Sequence, residues 1–288
     1  MSALLPISLA FIMFSLGISL QTSDFSRVAS QPRAIAIGLV AQIIFLPLIA
    51  FAILTITGTT GMMAVGIILI AACPGGVSAG LLTMLAGGQT ALSISLTAMT
   101  SLSVLLTLPI TLGMAIGHFA DTTTAALEMP VMQTGGGVFL ITVLPVLLGM
   151  LLRYWKTQWV STKLEKPLAR IATLLFILIV IKTFIDQREV IIDNLPTIGP
   201  ATLLLNVLAM LLGFFTPKLF GLPKESRIAI SMECGLHNAA LGIFVANTLL
   251  QTPELAAPSV VYAFLMNFTA LAVVLHYQKS RKTIRKEI

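Results

Sequence analysis

Charge is what this chain has least of. Only 10% of its 288 residues are Asp, Glu, Lys or Arg, against 57% hydrophobic residues, whereas soluble domains carry about 25% charged residues. With a mean hydropathy of +1.00, that scarcity excludes a water-soluble fold. Cysteine is equally rare. Cys73 and Cys234 both lie inside apolar segments, which excludes a secreted disulfide framework. Together with His237 they offer ligand chemistry suited to zinc or copper, but their spacing gives a metal site little support, and Cys73 reads as a small packed hydrophobe. The sequence contains no His-Glu-x-x-His motif, so a zinc hydrolase is not indicated. The N-terminus has neither a basic leading segment nor a small-residue cleavage site, and Leu4–Leu20 is expected to be a retained span.

What is present is a series of long apolar runs along the whole chain, the pattern of an all-α polytopic membrane protein. Gly, Pro and charge divide it into nine expected spans: Leu4–Leu20, Ala34–Ile56, Met62–Ala86, Ala91–Ile116, Val131–Leu152, Leu168–Ile185, Thr197–Phe215, Ile228–Leu250 and Ala257–His276. The net charge of +6 reflects topology and not a nucleic-acid partner. If the tail and the loops at 21–33, 87–90, 153–167 and 216–227 share one face with Arg170 at a helix start, that face holds fifteen of the seventeen basic residues, leaving Lys182 and Arg188 for the other. The positive-inside rule then puts the N-terminus outside and the C-terminus in the cytoplasm of a plasma (inner) membrane protein. The basic tail, 277–288, is an orientation signal that can also meet acidic lipid. Trp155, Trp159 and Tyr154 fit an interfacial belt. Lys182 is expected to snorkel, and His118, Asp121 and Glu128 are expected in a solvated outer loop.

Two spans are interrupted. The third contains Cys73-Pro74-Gly75-Gly76, where proline removes a backbone donor and two glycines weaken the helix. The eighth contains Glu233-Cys234-Gly235-Leu236-His237-Asn238. The breaks lie five spans apart, so their helices run in opposite directions. An inverted repeat follows, with a truncated four-helix unit over 1–116 and a five-helix unit over 131–276, in a single membrane domain 1–288. Paired broken helices in inverted halves point to a secondary transporter's site near the bilayer midplane.

Glu233 is the sole Asp, Glu, Lys or Arg of Ile228–Leu250. A carboxylate at that depth is disfavoured by a few kcal/mol even on lenient scales. It reads as an ion ligand or proton carrier, the alternative being a structural carboxylate hydrogen-bonded across the bundle. His237 is either a titrating partner of Glu233 or a histidine merely hydrogen-bonded at the crossing. Ser93 and Thr97, spaced i, i+4, present both hydroxyls on one helix face. Ser95, Thr100, Ser101 and Ser103 are expected to hydrogen-bond to their own helix or a neighbour.

At the two breaks, and in Ala91–Thr97, Ile12–Gly17 and Gly38–Gln42, the chain resembles the bile acid:sodium symporter family over nearly its whole length. The resemblance implies core and panel domains, two broken helices crossing in the core, and sodium-coupled movement of a small organic anion such as a bile acid, sulfated steroid, pantoate or 2-oxo acid. By position it implies that Glu233 bridges two sodium sites. Ser93 and Thr97 would serve the first, and Gln42, His237 and the carbonyls of Cys234 and Leu236 the second. Asn238, Asn267 and the stretch Pro74, Gly75, Gly76 and Val77 would face the substrate. Met266 stands where some relatives carry histidine. The chain departs from the family at Ala79-Gly80, where a Ser-Asn pair is usual, and at His237, where Gln is usual. Two oxygen ligands of the first site are absent, and imidazole nitrogen is a poor ligand for a hard cation. These departures motivate an alternative, proton coupling through Glu233 and His237. More distant readings are an intramembrane enzyme using those two residues with Cys234, and a non-transporting sensor.

Overall fold

The computed structural model describes residues 4–21, 30–76, 78–119 and 131–287. Asp121, Glu128, Arg27 and Val77 lie outside the described residues. Among the described residues every regular element is helical, as expected where apolar segments must satisfy their own backbone hydrogen bonds. In chain order they are α1 (Leu4–Ser19), α2 (Pro32–Thr57), α3 (Gly61–Ala71), α4 (Ala79–Ala86), α5 (Thr90–Phe119), α6 (131–155), α7 (Thr157–Asp186), α8 (Arg188–Leu219), α9 (Lys224–Gly235), α10 (Ala239–Leu249) and α11 (Ala257–Glu287). Six of these, α2, α5, α6, α7, α8 and α11, contain a stretch long and apolar enough to cross a membrane, which makes this a multi-pass membrane protein.

Proline shapes the helices from within. Pro47 and Pro145 each lack the donor that an α-helix would give to the carbonyl four residues earlier. Directly before each, the helix widens into a π-turn, Ala41–Phe45 in α2 and Phe139–Val143 in α6. One expected loop is not a loop. Residues 153–167 are helical apart from a break at Lys156, where φ is −128° and ψ is 43°. Lys, Gln and Glu favour helix once a partner holds the segment, and Arg153 pairs with Glu165 at 2.6 Å across the break. His118 likewise belongs to the last turn of α5, its ring edge-on to Phe119 at 4.7 Å, and not to an outer loop.

Helix α1 packs on α6 and α7. A Cβ at Gly17 or Gly149 would overlap the backbone of the facing helix, the small-residue contact typical of membrane helices. The remaining helices pack largely on one another: α8 on α9 and α11, α9 on α4 and α5, α11 on α3 and α4. The outer face of α7 shows Leu174, Leu178, Ile181 and Ile185 exposed, a surface suited to lipid. At one end, the segments around residues 89, 225 and 278 meet. The Gln89 amide donates to the Glu225 carbonyl at 2.9 Å, Ser226 donates to the Gln89 side chain at 2.9 Å, and the Lys224 ammonium sits 4.8 Å over the Tyr277 ring.

Candidate functional site

Pro74 cannot donate to the carbonyl of Ile70 four residues back, and α3 ends at Ala71. His237 takes up the slack: its Nδ1 lies 2.7 Å from the Ile70 carbonyl oxygen. The second interruption begins one turn later than the sequence suggests. Glu233 is still helical in α9, whose cap Leu236 turns to extended backbone at φ −109° and ψ 101°. Gly75 and His237 then form an isolated antiparallel bridge. The Gly76 amide donates to the Leu236 carbonyl at 2.7 Å and the Asn238 amide to the Pro74 carbonyl at 2.9 Å. The two breaks therefore cross and satisfy each other's freed backbone groups, as polar backbone buried away from water requires.

The Glu233 carboxylate, 1% exposed, lies directly over Gly75, where any Cβ would overlap its Oε2. Glycine is thus needed for close approach. From α5, Ser93 Oγ donates to Oε1, and Thr97 Oγ1 sits 2.9 Å from both carboxylate oxygens. The i, i+4 spacing read from the sequence delivers both hydroxyls to one carboxyl group. Gln42 reaches the same break from the π-turn of α2. It is 3% exposed and lines a cavity of about 10 Å³ with Cys73, Pro74 and Thr100, the volume that roughly one water or small ion occupies. Among the described residues neither its Nε2 nor its Oε1 has a hydrogen-bond partner.

The other expected site residues fall as follows. The Cys234 carbonyl oxygen is 2.9 Å from His237 Nε2, and the Leu236 carbonyl is taken by Gly76. Asn238 is buried and caps α10, its Oδ1 accepting from the Leu241 amide at 3.1 Å. Asn267 is exposed on α11 and donates to the Ala263 carbonyl of its own helix at 2.6 Å. Ser95 and Ser103 bond back to their own helix, as does Thr100; Thr100 also receives the Gly75 amide at 3.5 Å. Ser101 does not follow them, for its hydroxyl has no partner among the described residues. Lys182 is held by Asp186 at 2.6 Å.

Two features escaped the sequence reading. Asn206 donates to the Gly235 carbonyl at 2.7 Å, Tyr262 donates to the same carbonyl at 3.0 Å, and Thr269 donates to Asn206 Oδ1 at 2.6 Å. This network fixes the C-terminal end of α9 just after Glu233. A lone Asn in the apolar run before Phe215 was the available signal. The second is Gly76-Val77-Ser78-Ala79-Gly80, which has the Gly-x-Ser-x-Gly spacing of a hydrolase nucleophile. That motif needs a strand–turn–helix context, and here it spans a break between two helices.

Comparison with known proteins identifies the family. The model of the sodium bile acid symporter family matches residues 6–194. An uncharacterized sodium-dependent transporter, YocS of Bacillus subtilis, is 27% identical over 98% of this chain and 85% of its own length. A probable chloroplastic sodium/metabolite cotransporter of rice, BASS2, is 28% identical over 94% of this chain and 63% of its own; the chain thus spans a little under two thirds of that relative. The mouse ileal sodium/bile acid cotransporter is 25% identical over 95% of this chain and 76% of its own. The chain belongs to the sodium bile acid symporter family, a family of membrane carriers and not of enzymes.

Proposed function

We propose that this protein is a nine-span secondary transporter that moves a small organic anion, coupled to sodium, by alternating access. In this reading α3 with α4, and α9 with α10, are the two composite spans of an inverted repeat, and Glu233 is the coupling residue. The observation that carries it is the crossing itself: an isolated acidic side chain held against a Pro-Gly-Gly break by Ser93 and Thr97. A sodium ion entering there would be served by Glu233, Thr97 and Ser93. Gln42, with two unpartnered atoms beside the same break, would serve a second ion, aided by the carbonyls of Cys234 and Leu236. Half-helices beginning at Ala79 and Ala239 bring positive dipole ends to the crossing, which favours an anionic substrate near Asn238. The gathering of the segments around residues 89, 225 and 278 at one end supports a cytoplasmic C-terminus, with α1, α6 and α7 as the panel against which the core moves. Uptake of a labelled organic anion into proteoliposomes under an imposed sodium gradient tests this. Sodium-driven accumulation is expected, and its absence for every anion tried defeats the reading.

One observation favours proton coupling as a second reading. Both ring nitrogens of His237 face carbonyl oxygens, those of Ile70 and Cys234, and only a doubly protonated ring donates to both. Together with Ala79 and Gly80 in place of oxygen ligands, this suits a carrier in which a proton replaces one sodium. Uptake driven by an inward pH gradient in vesicles with equal sodium on both sides distinguishes it; strict sodium dependence with no pH response eliminates it.

A further inference from the structure

The break after α9 frees the carbonyl of Gly235. In an unbroken helix that oxygen would accept from the amide four residues on, but the Ala239 amide turns to the His237 carbonyl at 3.0 Å. Two side chains from other helices replace the missing donor. Asn206 Nδ2 of α8 donates at 2.7 Å and the Tyr262 hydroxyl of α11 at 3.0 Å. The two donors also order each other: Asn206 Nδ2 donates to the Tyr262 oxygen at 3.1 Å, and Thr269, two turns along α11, donates to Asn206 Oδ1 at 2.6 Å. Both Asn206 and Tyr262 are wholly buried, and the Tyr262 ring packs T-shaped on the His237 imidazole with centroids 5.4 Å apart. Met210, one turn after Asn206, lies so close that a Cβ on Gly235 would overlap it.

Gly235 stands between Cys234 and Leu236, whose carbonyls the carrier reading offers to an ion. The Cys234 oxygen faces His237 Nε2 and the Leu236 oxygen accepts from Gly76, and each retains a second lone pair. Peptide units are planar and joined at single α-carbons, so pinning the middle carbonyl limits rotation of the units on either side. We propose that Asn206 and Tyr262 are positioning residues for the coupling cation, aiming the Cys234 and Leu236 carbonyls without touching the ion; the proposal rests on the carrier reading above. The competing role is a plain staple between helices. Hydrogen bonds between membrane helices add little stability on average, and a staple can sit on any turn of α9. Ser231 is one, its hydroxyl donating to the Met210 carbonyl of α8 at 2.7 Å on the other side of Glu233. Asn206 and Tyr262 instead converge on a carbonyl that the break releases, and a fully satisfied buried network fixes geometry.

The test is titration of the melting temperature of the purified protein in detergent with sodium chloride, choline chloride holding total salt constant. The unmodified chain should show a shift that saturates with sodium. Tyr262→Phe keeps the ring on His237 and loses only the hydroxyl, and Asn206→Leu removes the other donor at similar volume. Removing a group that orients the ligands of a metal ion typically weakens binding by about 10–100-fold, so each variant should raise the half-saturating sodium concentration by about tenfold. The double variant should exceed the product of the two, because at a shared carbonyl one donor partly stands in for the other. Thr269→Val, one bond further out, should act in the same direction and less strongly. Ser231→Ala supplies the contrast: its melting temperature without sodium should fall while half-saturation stays where it was. A saturable shift in the unmodified chain that neither Tyr262→Phe nor Asn206→Leu displaces overturns the positioning role alone, as does an equal displacement by Ser231→Ala. If Asn206→Leu does not fold, Tyr262→Phe decides by itself. No sodium-induced shift in the unmodified chain defeats the sodium-coupled reading along with this proposal.

Discussion

The carboxylate of Glu233 and the carboxamide of Gln42 are buried to nearly the same depth beside the same break, yet two hydroxyls serve the first and no described residue serves the second. The difference follows from what each group demands. An ionised carboxylate away from water is far costlier to leave unpaired than an amide, so helix α5 is built with hydroxyls at two successive turns to meet it. An amide can be left unpaired at a penalty of about 1–3 kcal/mol. The Glu233 side of the crossing is met by hydroxyls of the protein; the Gln42 carboxamide has no partner among the described residues.

The comparison can be broken most severely at its anionic end. Glu233→Gln should lower sodium-driven uptake by roughly 100-fold, since hydrogen bonds and contacts to a charged group are worth about 1.5–3 kcal/mol; uptake with an unchanged sodium dependence would remove Glu233 from the coupling role. Gly75→Ala should reduce uptake by about tenfold and lower the melting temperature, because the new methyl meets the carboxylate and overpacking is destabilising by about 1–3 kcal/mol. Gln42→Leu sharpens the contrast, because its two effects have opposite signs. In sodium-free buffer the melting temperature should rise by a few degrees as the unpaired atoms disappear, while the sodium-induced shift shrinks. A fall in sodium-free stability would show that Gln42 is partnered after all. The smallest effect belongs to Ser95→Ala, which removes a bond within one helix and should change uptake by less than about threefold; Ser93→Ala should exceed it clearly.

Much of this was legible before any coordinates. The poverty of charge announced a membrane protein, Pro74-Gly75-Gly76 announced the first interruption, and the isolated Glu233 pointed to the polar cluster with Ser93 and Thr97. These signals are local: a missing donor, an absent Cβ, a carboxylate without water. The limits of the second break were less legible, because Gly235 remains helical while tertiary bonds from Asn206 and Tyr262 hold its carbonyl. Residues 153–167 looked like a loop because charge and proline were read without the Arg153–Glu165 pair that supports helix there. Ser101 could not be distinguished from Ser95 or Ser103 by composition, since the residue type does not decide whether a hydroxyl turns to its own helix's carbonyl.

The short bridge between Gly75 and His237 has a mechanical consequence. Residues from distant parts of the sequence are riveted back to back by a pair of main-chain bonds, so α3, α4, α9 and α10 share one fastening. None of these four rods can shift freely without loading that joint, and the Glu233 carboxyl group lies directly on it.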